Sequence, residues 1–338
     1  MTRCYLHRVR RLAMIALAVA LAAVWPLYRS ATNDSFTAII GAGVVGPSTP
    51  LLAREVPDLV VTSNAGHDGQ QFYAVARHPF DPTSSAPFLA NPVYRYRRIV
   101  FPVLGWLLAP SGGTRLIAAL MAIGLAGVGL GAWSLSRLPG GPWWLPVAAG
   151  VTPGVVAATG LTLADSLALG FTLAAFAAAA SRRPELVLAA LIAGVMTRET
   201  VLLAAVALAL TPGLAKVWRV AYVAVPGVLL AAWMLWVSHL LGIPVNDGAS
   251  DQFSFPLSGW LHSNSEGIGL VIGALLAAVL VLGLLRTQDN VAVCAYLGLL
   301  LLLFVTLSPN VTASWVNTTR AVIAGFPLAV WGITRETA

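Results

Sequence analysis

The chain has 338 residues, of which 58% are hydrophobic and 10% charged, and its formal net charge is +7. Soluble domains carry roughly 25% charged residues, so the composition excludes a soluble globular protein and points to an all-α, polytopic membrane protein. Cys4 falls in a leader and Cys294 in a hydrophobic run, which excludes a disulfide framework.

Spans are expected where roughly 17–25 apolar residues run together. The basic leader MTRCYLHRVRR precedes a first span at residues 12–28. Trp25, Pro26, Tyr28 and Arg29 crowd the place where a signal peptidase needs small residues, so this span is expected to stay attached. Residues 29–98 are predicted to form a large extracytoplasmic loop with short helices, and residues 99–110 a re-entrant or interfacial helix, too short to cross. A helical bundle over 114–334 completes a single integral membrane domain, 1–338, with about 9–11 membrane segments.

Within the bundle, 114–135 is a clean span, 143–160 a helix kinked by Pro146 and Pro153, and 161–180 a third. Two short helices, 186–196 and 201–210, are hinged at Thr197-Arg198-Glu199-Thr200. A long helix over 217–241, a polar loop over 242–267 and three spans near 268–285, 291–307 and 318–333 follow.

With both termini cytoplasmic, that side carries a net +8 and the opposite side −1, together the +7 of the chain. Every short cytoplasmic connection then holds a basic residue, as the positive-inside rule requires, and the basic excess requires no nucleic acid. The other ionisable residues near helix ends fall on the extracytoplasmic face: Asp68, Arg77, Arg95, Arg97, Arg98, Arg115, Asp165, Arg198, Glu199 and Arg320. Charges at membrane depth are expensive and tend to mark function.

The richest polar stretch is 66–102. Asp68 opens a short helix predicted to run to about Arg77, where it either caps the helix or acts as a general base; Gln71 and Tyr73 follow it as candidate substrate contacts. Tyr94-Arg95-Tyr96-Arg97-Arg98 is an interfacial belt or a phosphate clamp, since arginine forks suit phosphate oxygens. Asp165 starts a membrane helix, where it caps the helix or suits its dipole, and it is also a candidate substrate contact. Arg198 and Glu199 interrupt an apolar hairpin and must be solvated, paired or bound to a ligand. Arg320 lies just inside the last span, snorkelling or binding an anionic lipid group. The histidines have no metal-ligand spacing, and no Walker loop, GxGxxG in a βαβ context or Gly-x-Ser-x-Gly elbow occurs. Asp247 and Asp251 do not make a DxD pair, so a nucleotide-fed reaction is not expected.

Asp68-Gly69-Gln70-x-Phe72-Tyr73 followed by Tyr94-Arg95-x-Arg97-Arg98-Ile99-x-x-Pro102 resembles the GT-C superfamily of membrane glycosyltransferases. Asp165, the Thr197-Arg198-Glu199 break and Arg320 follow in the order of that group, and the likeness runs from about residue 60 onward. Within the group it is nearest to bacterial proteins of cell-surface glycopolymer formation. The resemblance implies a GT-C-like helical bundle in the cell membrane, with the active face extracytoplasmic. It implies a sugar donor carried on a polyprenyl phosphate, an envelope glycan or glycolipid as acceptor, Asp68 as base, and Arg198 and Arg320 facing the lipid phosphate. No cofactor is expected, and the need for a divalent metal stays open. The chain departs from larger members in having a single loop acid. The alternatives are a transporter or flippase for a lipid-linked or anionic solute, and a non-catalytic assembly subunit of the same fold.

Overall fold

The computed structural model describes residues 2–248, 252–262 and 267–336, and it is mostly helical. Four helices are long and apolar enough to cross a membrane: Val9–Thr32, Gly113–Leu135, Lys216–Leu241 and Gly269–Arg286. The shortest has 18 residues; at ~1.5 Å per residue it reaches about 27 Å, close to a ~30 Å hydrocarbon core. Shorter apolar helices, among them Asp165–Ala180, Pro184–Thr197 and Val291–Val305, pack with the long ones. The chain is mostly helical, and the length and composition of these four helices suit a membrane protein.

Residues 29–98 are not a loose loop. They carry Ile39, Ile40, Leu52, Phe72, Tyr73 and Tyr96 into a core shared with Phe101, Leu116, Ile117 and Leu120. Phe72 meets Phe101 edge-on, ring centroids 5.4 Å apart. The segment is thereby fastened to helix Val100–Leu108, which is short as expected, and to helix Gly113–Leu135. A second core, from Ala18 to Trp331, lies among the remaining helices.

Several expectations change. Residues 143–160 do not make one kinked helix but two pieces, Val147–Val151 and Pro153–Thr159, parted at Thr152; Pro153 lacks the N–H that would carry the ladder through. The last span is also broken, into Trp315–Ala321 and Gly325–Thr334, directly after Arg320. The all-helical expectation yields to one small exception, a parallel pairing of Ala42–Gly43 with Val61–Thr62. The described part of 242–267 holds a short helix, Ser258–Leu261, and Asp251 lies outside the described residues.

Candidate active site

That small parallel pairing positions Asp68. It lays residues 61–67 along 41–43, where the His67 N–H donates to Gly41 O at 2.8 Å, and helix Asp68–Arg77 starts at the next residue. Two glycines permit the approach. A Cβ on Gly43 would meet Gly66 N at 2.1 Å, and one on Gly69 would meet Leu161 O at 2.2 Å. Asp68 therefore sits with its back against the 158–164 turn and its carboxylate free to face elsewhere.

The carboxylate does not cap its helix, which corrects the bland expectation. Its Oδ1 accepts from Arg95 Nη1 at 2.7 Å and its Oδ2 from Arg320 Nη2 at 3.1 Å, with Arg98 Nη1 at 3.8 Å. Burial favours the neutral acid, but the guanidiniums of Arg95, Arg320 and Arg98 outweigh it and hold the Asp68 carboxyl far below the usual carboxylate range.

Helix Pro92–Tyr96 presents the arginine cluster. Buried Tyr96 anchors it, its hydroxyl donating to His78 O at 2.8 Å and its carbonyl accepting from Trp233 Nε1 at 2.7 Å. Tyr94 gathers the arginines: the guanidiniums of Arg95, Arg97 and Arg98 lie 5.2, 5.0 and 5.1 Å from its ring centroid. Its hydroxyl also accepts from Arg98 Nη2 at 2.9 Å. Arg98 forks onto Glu199 at 3.0 and 3.2 Å, and Arg97 donates to Val245 O at 3.1 Å.

Asp165, 1% exposed, is the first residue of helix Asp165–Ala180. It accepts from Arg320 Nε at 3.0 Å and is ion-paired with Arg198, which stands in extended backbone between helix Pro184–Thr197 and the turn Glu199–Val201. Charges thus alternate in an unbroken line: Glu199, Arg98, Asp68, Arg320, Asp165, Arg198. Asp165 does not line the cavity; from behind it braces the two arginines that do.

The cavity has a volume of about 300 Å³. It is lined by Asp68, Tyr94, Arg95, Arg97, Arg98, Arg198, Glu199 and Arg320, and also by Gln252, Phe253, Leu303, Leu307, Asn310 and Asn317, the last accepting from Arg320 Nη1 at 3.2 Å. With Asp165 behind, five arginines against three carboxylates leave an excess of two positive charges. Arg97 Nε and Arg198 Nε are buried without a hydrogen-bond partner among the described residues. Unsatisfied buried donors cost about 1–3 kcal/mol each, so the site favours a ligand that brings anionic acceptor oxygens.

Three expected contacts are not in the cavity lining: Asp165, which stands behind it, Gln71 and Tyr73. Gln71 Oε1 accepts from Ala90 N at 2.9 Å. Tyr73 is fully buried, donating to Glu55 Oε2 and accepting from Gly113 N, both at 2.7 Å. Tyr73 leaves the Asp68 helix at another angle and Gln71 is taken up by the Ala90 N–H, so nearness in sequence does not bring them to the site. Arg77 pairs with Glu55 at 2.8 Å, and neither it nor Arg115 lines the cavity.

The sequence reading missed Gln252, Phe253, Asn310 and Asn317 as site residues. Gln252 and Phe253 come from the 242–267 connection and Asn310 and Asn317 from the short helices Pro309–Thr312 and Trp315–Ala321, none with a motif, and a backbone bridge from Phe253 to Leu307 brings the connection to the end of helix Val291–Val305. No group of three His, Cys, Asp or Glu able to hold a metal ion occurs among the described residues. Compared with known proteins, the chain matches no family model, no curated protein and no solved structure.

Proposed function

We propose that this protein transfers a sugar from a polyprenyl-phosphate-linked donor to an envelope glycan or glycolipid acceptor, on a GT-C-type scaffold in the cell membrane with the cavity at the extracytoplasmic face. One observation carries the reading. Asp68, Arg198 and Arg320, scattered along an apolar chain, meet through ion pairs bridged by Asp165 at one cavity whose lining also includes the apolar Phe253, Leu303, Leu307 and Val311. Such a site suits a ligand that is anionic at one end and hydrocarbon at the other.

In this reading the donor phosphate lies against Arg95, Arg198 and Arg320. Its arrival draws Arg95 and Arg320 toward the phosphate oxygens and away from Asp68, restoring the basicity that the resting ion pairs suppress. Asp68 then takes the proton of an acceptor hydroxyl as that oxygen bonds to the anomeric carbon. The bond from that carbon to the phosphate oxygen breaks, and the arginines stabilise the leaving phosphate. No cofactor enters the scheme, and the lipid phosphate is a substrate.

The test is turnover by purified protein in liposomes supplied with a polyprenyl-phosphate-linked sugar and membrane acceptor lipids. Wild type should release lipid phosphate, and Asp68→Asn should not. A strain carrying Asp68→Asn with unaltered envelope glycans and normal lipid-sugar turnover would sink the reading. The complete pairing of Asp68 favours a second reading, a non-catalytic subunit that binds lipid-linked anions; there, both proteins would bind donor and neither would turn it over.

A further inference from the structure

A cavity of about 300 Å³ stands at the lower end of small-molecule sites, about 300–1,000 Å³. It can house the head of a lipid-linked molecule, and the tail must leave it. Helix Val100–Leu108 offers an apolar surface beside the arginine cluster, yet none of its residues lines the cavity. The apolar lining comes from Phe253, Leu303, Leu307 and Val311.

Phe253 belongs to a strap, residues 252–262, laid along the end of helix Val291–Val305. Ser254 N donates to Thr306 O at 2.9 Å, Leu257 N to Val305 O at 2.7 Å, and Ser308 N to Gln252 O at 3.1 Å. Trp260 pins the far end, donating from Nε1 to Phe304 O at 2.9 Å and stacking on the Phe304 ring. So held, the strap turns an apolar edge outward: Phe255 is 82% exposed, Leu261 78%, Phe253 59% and Leu257 53%. Phe253 belongs both to that edge and to the cavity wall, so an apolar path runs without interruption from the arginines to the molecular surface. A backbone tied at both ends would not hold such residues out against water; the edge needs hydrocarbon beside it.

We propose that this strap is the portal through which the hydrocarbon tail of a long-chain prenyl phosphate, bound head-first at the arginines, passes from the cavity into the bilayer. The inference rests on the lipid-phosphate reading above and adds to it the place where the tail leaves. Head and tail contacts are then separable: arginines hold the phosphate, and the strap holds the first isoprene units.

The experiment measures binding of two probes to the full chain in phosphatidylcholine nanodiscs, a long-chain polyprenyl phosphate and inorganic phosphate. The variants are Phe253→Ala, Phe253→Asp and Phe255→Asp, with Leu108→Asp as a control on the exposed end of helix Val100–Leu108. Phe253→Asp and Phe255→Asp should weaken the lipid probe at least about tenfold, an increment of ~1.4 kcal/mol. Phe253→Ala should weaken it by a few fold, and Leu108→Asp should leave it unchanged. Inorganic phosphate should bind Phe255→Asp and Leu108→Asp, which lie outside the cavity lining, as it binds wild type, which also shows that their sites are folded. Unchanged lipid binding in the strap variants, or an equal loss in Leu108→Asp, overturns the portal and leaves the anion site standing. Wild type binding both probes equally well overturns it too, because the tail then contributes nothing. If wild type binds neither probe, the lipid-phosphate reading falls and takes the portal with it.

Discussion

Arg320 stands between two carboxylates, its Nη2 3.1 Å from Asp68 Oδ2 and its Nε 3.0 Å from Asp165 Oδ2. It is 5% exposed, and removing it leaves buried Asp165 with Arg198 alone and Asp68 with Arg95 and the more distant Arg98. Breaking a buried ion pair by deleting one partner costs about 3–5 kcal/mol. Arg320→Ala should lower the thermal unfolding midpoint of the detergent-solubilised protein accordingly. Arg320→Lys should recover part of the loss, since an ammonium keeps the charge but cannot fork across both acids. Adding Asp165→Asn to Arg320→Ala should be clearly less than additive, as expected of residues in one network.

Asp68→Asn keeps the shape of the side chain and removes the charge that the arginines neutralise. In the proposed reaction it should reduce turnover by about 10²–10⁴-fold, the range for general-base loss. Binding of polyprenyl phosphate should persist or tighten, because Arg95 and Arg320 no longer have an internal anion. Loss of binding together with turnover would assign Asp68 to the architecture of the site instead.

The depressed Asp68 carboxyl sets a pH dependence of known sign. A group whose folded value lies below its unfolded one stabilises fully above the unfolded value, roughly pH 4 for a carboxylate, and loses that contribution as pH falls. The difference in unfolding midpoint between wild type and Asp68→Asn should therefore be constant from about pH 8 to about pH 5 and shrink below about pH 4. A difference that changes near neutrality would contradict the ion-pair assignment.

Tyr73 offers a contrast, because its hydroxyl serves Glu55 and Gly113 away from the cavity. Tyr73→Phe leaves the Gly113 N–H without its acceptor and Glu55 with Arg77 alone, and should cost about 1–3 kcal/mol of stability. Turnover per folded molecule should stay at the wild-type level. A selective loss of turnover would return Tyr73 to the list of substrate contacts.

Gly69→Ala should displace the start of the Asp68 helix, because the added Cβ would lie 2.2 Å from a backbone oxygen, Leu161 O, which has no rotamer to escape into. Overpacking of this kind costs about 1–3 kcal/mol. The shift should also move Asp68 from its place at the cavity, read as lower turnover per folded molecule. Gly227→Ala, with nothing within 4 Å of the new methyl, should be neutral or slightly stabilising in its helix.

The charges that line the cavity were legible because a mostly apolar chain has few reasons to keep Asp68, Arg98, Arg198, Glu199 and Arg320 near helix ends. Gln71 and Tyr73 misled for a local reason. Successive helical residues leave the axis about 100° apart, so Tyr73, five positions on, points away from Asp68 to Glu55, whereas Gln71 shares its face but is taken up by the Ala90 N–H. The broken helix at Thr152 was half visible in Pro153, whereas the break after Arg320 carries no proline or glycine until Gly325.

By itself the sequence determined the class of molecule, helices in a membrane, because composition and run length decide which solvent a chain can face. It also determined which side chains were too polar for their surroundings to be incidental. The pairings belong to the tertiary structure alone. Arg320 lies 252 positions from Asp68 and Arg98 lies 101 from Glu199, and no local pattern encodes contacts at such separations. Packing of the helices decides which buried charges fall within reach of one another, and each must find a partner there because hydrocarbon offers none.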